Sequence, residues 1–158
     1  AYLVPRRNHF MGRWVRHSGW YPNFSQPQLF RKSALKYMEL QVHEGYELLT
    51  AKPVGRLEHA IWQIPFRNFE EVVKKANRYS TLGAQKLDGK RVSMGTAFLH
   101  GIWSFLKHYV AKRGFLDGWV GFVIAFGNFE GTFYRYAKRF EQQEQWPIPK
   151  QPPLRRPD

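Results

Sequence analysis

The sequence predicts an α+β fold: a small mixed sheet, then three amphipathic helices, then a disordered proline-rich tail. Two observations carry this. Up to about residue 65, short extended runs alternate with Gly, Pro, Asn and Ser punctuation, and beyond it apolar residues recur at helical spacing between capping residues. At 158 residues the chain has the length of one domain, and the pattern divides it into residues 1–65, 66–144 and 145–158.

The runs "AYLVP", "QPQLFRK", "YMELQVHEGYELL" and "GRLEHAIWQIP" read as strands, and "NHFMGRWVRH" as a short helix between the first two. In "YMELQVHEGYELL", strand alternation puts Val42 and Glu44 on one face and His43 on the other. Pro65 ends the extended part. Asn68 caps a first helix with Glu70 and Glu71 in its opening turn, where the helix dipole favours acids, and this helix should run to about Lys86. Ser93 caps a second, with Phe98, Ile102, Phe105, Leu106 and Tyr109 on its apolar face and Lys107, His108 and Lys112 on its basic one. "KRGFLDG" interrupts the helical pattern, and a third helix follows from about Trp119 to Glu144. The closing "WPIPKQPPLRRPD" should be extended or disordered, because proline removes backbone donors.

With 25 Lys and Arg against 12 Asp and Glu the chain carries a formal charge of +13, so its surface attracts anions: phosphates, anionic headgroups or a phosphorylated substrate. The lack of cysteine removes disulfides, thiolate metal sites and a cysteine nucleophile. The apolar run Gly118 to Phe129 is about a dozen residues long, whereas a membrane span needs about 20. It lies between basic clusters, Lys112 and Arg113 before it and Arg135, Lys138 and Arg139 after it. With Trp103, Phe105, Tyr109, Trp119 and Phe122, this is the composition of helices that lie in a membrane interface with cations at the headgroups.

Taken in order, "VPRRN", "GRWVRHSGWYP", "QLFRK", "VHE", "GRL", "NRYSTLGAQK" and "HGIWSFLKHYVAKRGFLDGWVGFVIA" resemble the C-terminal half of family-two glycosyltransferases, in particular the bacterial branch that builds lipopolysaccharide core and related glycolipids. The resemblance covers roughly residues 1–140 and is densest at "KRGFLDGWVGF". It implies the acceptor side of a GT-A fold and an inverting transfer from a nucleotide-diphosphate sugar to a lipid-linked or glycolipid acceptor. In such a transfer a carboxylate takes the acceptor proton while a divalent Mg or Mn ion offsets charge on the leaving diphosphate. On this likeness Glu44 is the general base, and His43 a candidate metal ligand should a bulge turn it inward. Arg13, Arg16 and His17 would meet phosphates or sugar hydroxyls, Trp20 would stack on a sugar ring, and Arg31 would lie near the diphosphate. The helices would dock the enzyme peripherally on the cytoplasmic face of the bacterial inner membrane.

The chain departs from that pattern in two places. Its three aspartates, Asp88, Asp117 and Asp158, form no DxD, so the nucleotide-binding half is not in this sequence. It therefore reads as the second half of a longer enzyme or a truncated homologue, expected to bind nucleotide-sugar poorly alone. Gln63 stands where a family histidine is expected, and an amide is a poorer metal ligand than imidazole; His59 is the candidate replacement. The competing readings are a non-catalytic basic, aromatic module on nucleic acid and a membrane-surface adaptor. No zinc-finger, helix-turn-helix or RRM signature supports the first, so nucleic acid is not the expected partner. No GxSxG, HExxH, Walker A or GxGxxG is present to support esterase, zinc-protease or nucleotide-motor chemistry.

Overall fold

A computed structural model describes residues 1–24, 26–38, 45–144 and 146–147. The N-terminal run forms β1 (Tyr2–Leu3) and β2 (Arg6–Phe10), interrupted at Val4-Pro5 because proline has no N–H to give to a ladder. Strands β7 (Gly55–Arg56) and β8 (Ile61–Gln63) run parallel beside them, Tyr2 opposite Gly55 and Arg6 opposite Ile61. The carbonyl of Pro5 still accepts from Ile61 N–H at 2.9 Å, so the two short sheets continue one interrupted pairing. On the other side, β4 (Pro27–Leu29) pairs antiparallel with β1, and β3 (Arg13–Trp14) with β2. The strand orders are therefore β4-β1-β7 and β3-β2-β8.

Two sequence expectations change here. "NHFMGRWVRH" is a hairpin, not a helix: Met11 and Gly12 both have positive φ, 49° and 74°, between the paired residues Phe10 and Arg13. Positive φ at both loop residues is the turn that matches strand twist, and Gly12 supplies one of the two at no steric cost. "YMELQVHEGYELL" is not one strand either. Met38 pairs antiparallel with Gly45, so β5 (Leu35–Met38) and β6 (Gly45–Leu48) are two strands, and the alternation argument that put His43 opposite Glu44 no longer applies. Both of those residues lie outside the described residues, as does nearly all of the proline-rich tail.

The helices follow their local signals closely. In α1 (Phe69–Gln85) the Asn68 side chain accepts from Glu71 N–H at 2.9 Å, while the Glu71 carboxylate accepts from Arg67 N–H at 2.8 Å. These reciprocal bonds occupy donors that a helix start leaves unpaired. In α2 (Met94–Leu106) Ser93 plays the same part, accepting from Thr96 N–H at 3.1 Å. A π-helical turn (Lys107–Ala111), left-handed Arg113 and a 3-10 turn (Gly114–Asp117) then reverse the chain into α3 (Trp119–Glu144). The reversal is tight: a Cβ on Gly121 would lie 1.7 Å from the Gly114 carbonyl oxygen, so only glycine fits.

Helix α3 packs on both α1 and α2. The Lys138 ammonium donates to Asn77 O, Asn77 Oδ1, Ser80 Oγ and Thr81 Oγ1 at 2.6–3.0 Å, tying α3 to α1. Farther along, Arg139 pairs with Asp88 at 2.8 Å, and the Gln143 amide both accepts from and donates to the Val92 backbone. The buried core consists of Phe10, Val15, Val120 and Ile124, with Met11, Trp20, Phe66, Val72 and Val123 packed around it. Residues 1–65 and 66–144 thus share a hydrophobic core, which fixes the strand loops relative to α1 and α3.

Candidate functional site

The segment after β3 is held by one carboxylate. Asp117, with a side chain 5% exposed, accepts from Arg16 N–H at 3.0 Å, from His17 N–H at 3.0 Å and from the Ser18 hydroxyl at 3.1 Å. His17 Nδ1 lies 3.1 Å from the same carboxylate. Ser18 N–H donates to the Lys112 carbonyl at 3.0 Å, and Ser18 itself adopts a left-handed φ of 59°. These bonds span about a hundred residues of sequence and weld the loop to the reversal before α3. Hydrogen bonds to a buried charged acceptor are among the stronger ones, so the loop's conformation is well determined. Its downstream end delivers Trp20, whose carbonyl accepts from Asn8 Nδ2 at 2.9 Å.

Trp20 forms one wall of a cavity of about 400 Å³ between the strands and the helices α1 and α3. Phe66, Tyr79 and Phe10 supply further aromatic surface, and Asn8, Asn23, Gln63 and Asn128 line it with amides. Asn8 and Asn128 each donate an N–H to a backbone carbonyl, Trp20 and Ile124 respectively, which orients the amide and leaves its oxygen as an acceptor. Among the described residues the cations of the lining are Arg6 and Lys75, and none of its side chains is Asp or Glu. Aromatic walls with a few fixed polar groups are the make-up of small-ligand pockets, and here the polar groups suit hydroxyls and anions.

Of the sequence candidates among the described residues, only Trp20 lines this cavity. Arg13 and Arg16 are exposed, and the Arg16 guanidinium stacks over the Trp14 ring at 4.3 Å, with Arg7 at 4.7 Å from the same ring. His17 is half-buried against Asp117, and Arg31 is exposed in the turn after β4. The candidate base Glu44 and the candidate metal ligand His43 lie outside the described residues. Among the described residues no group of three His, Asp or Glu side chains could hold a metal ion, so they supply no ligand set for the Mg or Mn ion that the resemblance implies. Sequence reasoning gave no role to Arg6, Asn8, Phe66, Lys75, Tyr79 and Asn128, although Arg6 and Asn8 fall in "VPRRN" and Tyr79 in "NRYSTLGAQK". It passed over the part of Asp117, although it singled out "KRGFLDGWVGF" around it.

The opposite side of α3 is of another kind. Along α2 and the turn after it, Leu99 (68% exposed), Trp103 (66%), Leu106 and Val110 fall at helical spacing, and Leu116, Trp119 (50%), Phe122 and Phe126 extend the exposed apolar area onto α3. Phe105 and Tyr109 lie beneath, edge-to-face against Phe122 at 5.8 and 6.0 Å. Helix α2 carries no Asp, Glu, Lys or Arg, and exposed Arg91, Lys107 and Arg113 flank it. Not all the expected interfacial cations are exposed there: Lys138 and Arg139 are engaged between helices, Arg135 lies over the Tyr136 ring at 5.1 Å, and the Lys112 side chain covers Gly19. Among the described residues no helix is long and apolar enough to cross a membrane.

Under this face His108 Nδ1–H donates to the Ser104 carbonyl at 2.8 Å, which leaves Nε2 to accept from the Lys112 ammonium at 3.3 Å. Burial, opposed by the Ser104 bond and reinforced by Lys112 and Lys107, pushes the His108 pKa below the ordinary histidine value; burial, then Lys107, lowers that of Lys112. No protein-family model and no solved structure matches the chain.

Proposed function

We propose that this chain is the acceptor-binding part of an inverting glycosyltransferase that transfers a sugar from a nucleotide-diphosphate donor to a membrane-associated glycolipid, of the lipopolysaccharide-core kind. The observation that carries the reading is the placement of two unlike surfaces on one helix. Val123, Ile124 and Asn128 of α3 line the amide- and aromatic-walled cavity, while Trp119, Phe122 and Phe126 belong to the exposed apolar face. A glycolipid has the same two-part chemistry, a hydroxyl-rich head beside a lipid anchor. The apolar face, bordered by Arg91, Lys107 and Arg113, suits an anionic lipid surface, with α2 lying in the interface rather than crossing it. The enzyme would sit peripherally, on the cytoplasmic face of the bacterial inner membrane.

In the reaction the acceptor hydroxyl oxygen attacks the anomeric carbon, the bond from that carbon to the diphosphate oxygen breaks, and the hydroxyl proton passes to Glu44. The fixed Trp20 wall orients the acceptor, because a pre-set approach removes much of the entropic part of such a barrier. The metal ion of the family reading would neutralise the leaving diphosphate, and none of these assignments depends on it. The test is Glu44→Gln in an active enzyme containing this chain, assayed for transfer from a nucleotide-diphosphate sugar to a lipid-linked acceptor. Turnover should be lost with donor binding nearly unchanged. Retained turnover would remove Glu44 as the base, and an active enzyme whose transfer is indifferent to Trp20→Ala would remove the cavity from the acceptor site.

A further inference from the structure

We infer that the cavity takes an anionic sugar, its phosphate or carboxylate held by Arg6 and Lys75 while the ring lies among Trp20, Phe66 and Tyr79. The inference rests on reading the cavity as a sugar site and adds the charge of the ligand.

The first argument is the charge balance of the lining. Among the described residues sixteen border the cavity, two of them cationic and none acidic. Among the described residues neither Arg6 nor Lys75 has a carboxylate within ion-pair distance, although Lys74, next to Lys75, pairs with Glu70 at 2.6 Å. Glu70 is therefore matched to Lys74, and Glu71 accepts from the Arg67 N–H, so neither acid of α1 pairs with the cation that borders the cavity.

The second argument is how the cations are held. Lys75 Nζ lies 4.9 Å from the Phe66 ring centroid and 5.6 Å from that of Tyr79, two aromatic residues of the same wall. Ring faces attract an ammonium without neutralising its charge, so Lys75 is positioned beside the cavity and keeps its charge for a ligand. Arg6 lies on β2, paired with β8 at Ile61, so its backbone is fixed on the strand side while Lys75 approaches from α1. The amides of Asn8, Gln63 and Asn128 between them offer partners for ring hydroxyls. A neutral sugar would use the amides and rings alone and leave both cations uncompensated. A free phosphate would use the cations and leave the aromatic wall bare.

The experiment is a titration of the full chain, followed by ¹H–¹⁵N spectra at the Trp20 indole and the Asn8 and Asn128 side-chain amides, with three probes: a hexose, the corresponding hexose phosphate and inorganic phosphate. The hexose phosphate should bind at least tenfold more tightly than either of the others, and weaken as salt is raised. Lys75→Gln should abolish that preference and Lys75→Arg restore most of it; both replacements are on an exposed helix position, and a thermal melt checks that they fold. If the hexose binds as tightly as its phosphate, the inference is overturned while the cavity stands as a sugar site. If neither sugar moves the Trp20 indole resonance, or if inorganic phosphate binds as tightly as the sugar phosphate, the inference and the sugar reading are both overturned.

Discussion

Two sides of α3 carry apolar residues at the same helical spacing, yet one is covered and the other is not. Val120 and Ile124 are 0% and 6% exposed under the β2–β3 hairpin and its loop, whereas Trp119, Phe122 and Phe126 are 50%, 47% and 45% exposed. The covered side is where polar detail is concentrated: the Asp117 bonds, the oriented amides and the cavity. The open side is nearly featureless in polar terms and large in apolar area. Packing against protein demands fixed geometry, and a lipid interface demands only area and a cationic border, so on the proposed function the covered side is the recognition surface and the open side the docking surface.

The largest expected effect lies at the reversal that makes both sides possible. Gly121→Ala places a methyl 1.7 Å from the Gly114 carbonyl oxygen and should cost more than about 3 kcal/mol, seen as loss of the cooperative melt or a large fall in Tm. On the same helix Gly131→Ala meets nothing within 4 Å and should stabilise by up to about 1 kcal/mol. Equal effects of the two would mean the reversal is not as tight as described.

Next comes the loop clamp. Asp117→Asn replaces one acceptor oxygen with a donor that faces the His17 N–H and the Ser18 hydroxyl, and should cost about 2 kcal/mol in chemical denaturation. The Trp20 indole resonance should shift with it, because that loop positions the ring. A variant with unchanged stability and an unmoved Trp20 would show that the loop holds itself.

A smaller effect is tied to pH. The folded state binds a proton at His108 more weakly than the unfolded chain does, since its pKa is lowered mainly by burial. Well above the ordinary histidine value of about 6.5 this group contributes little pH dependence; as pH falls through that value the unfolded state takes up the proton first, so stability declines. His108→Asn should flatten that decline in urea titrations between about pH 6.5 and 5. An unchanged slope would assign the acid sensitivity elsewhere.

The helices were legible because their signals are local: Asn68 and Ser93 cap within three residues, and apolar periodicity does the rest. The β2–β3 hairpin was not, since Met11-Gly12 is a turn without the Asn-Gly or Asp-Gly signal, and the surrounding Phe10, Trp14 and Val15 also fit a short helix. In "MELQVHEGYELL" no turn residue precedes Gly45, so the chain reads as one strand until the pairing of Met38 with Gly45 is seen. At the site, Trp20 could be picked out as an aromatic in a Gly- and Pro-bounded loop. Arg6 and Lys75 could not, because a strand residue and a helix residue become neighbours of one cavity only through the shared core. The carboxylate of Asp117 was equally hidden, its partners lying about a hundred residues away.

The central claim is that the open side of α3 and α2 docks on an anionic lipid surface while the covered side binds ligand, and Leu99→Ser/Trp103→Ser tests it most directly. Both side chains are about two-thirds exposed, so folding stability should change by less than about 0.5 kcal/mol. Each should contribute about 2 kcal/mol when buried in the interface, so co-sedimentation with phosphatidylglycerol–phosphatidylcholine vesicles should weaken more than tenfold. The Trp20 indole response to hexose phosphate should be unchanged in the same variant. Vesicle binding equal to that of the unsubstituted chain, or no vesicle binding by either, would contradict the account.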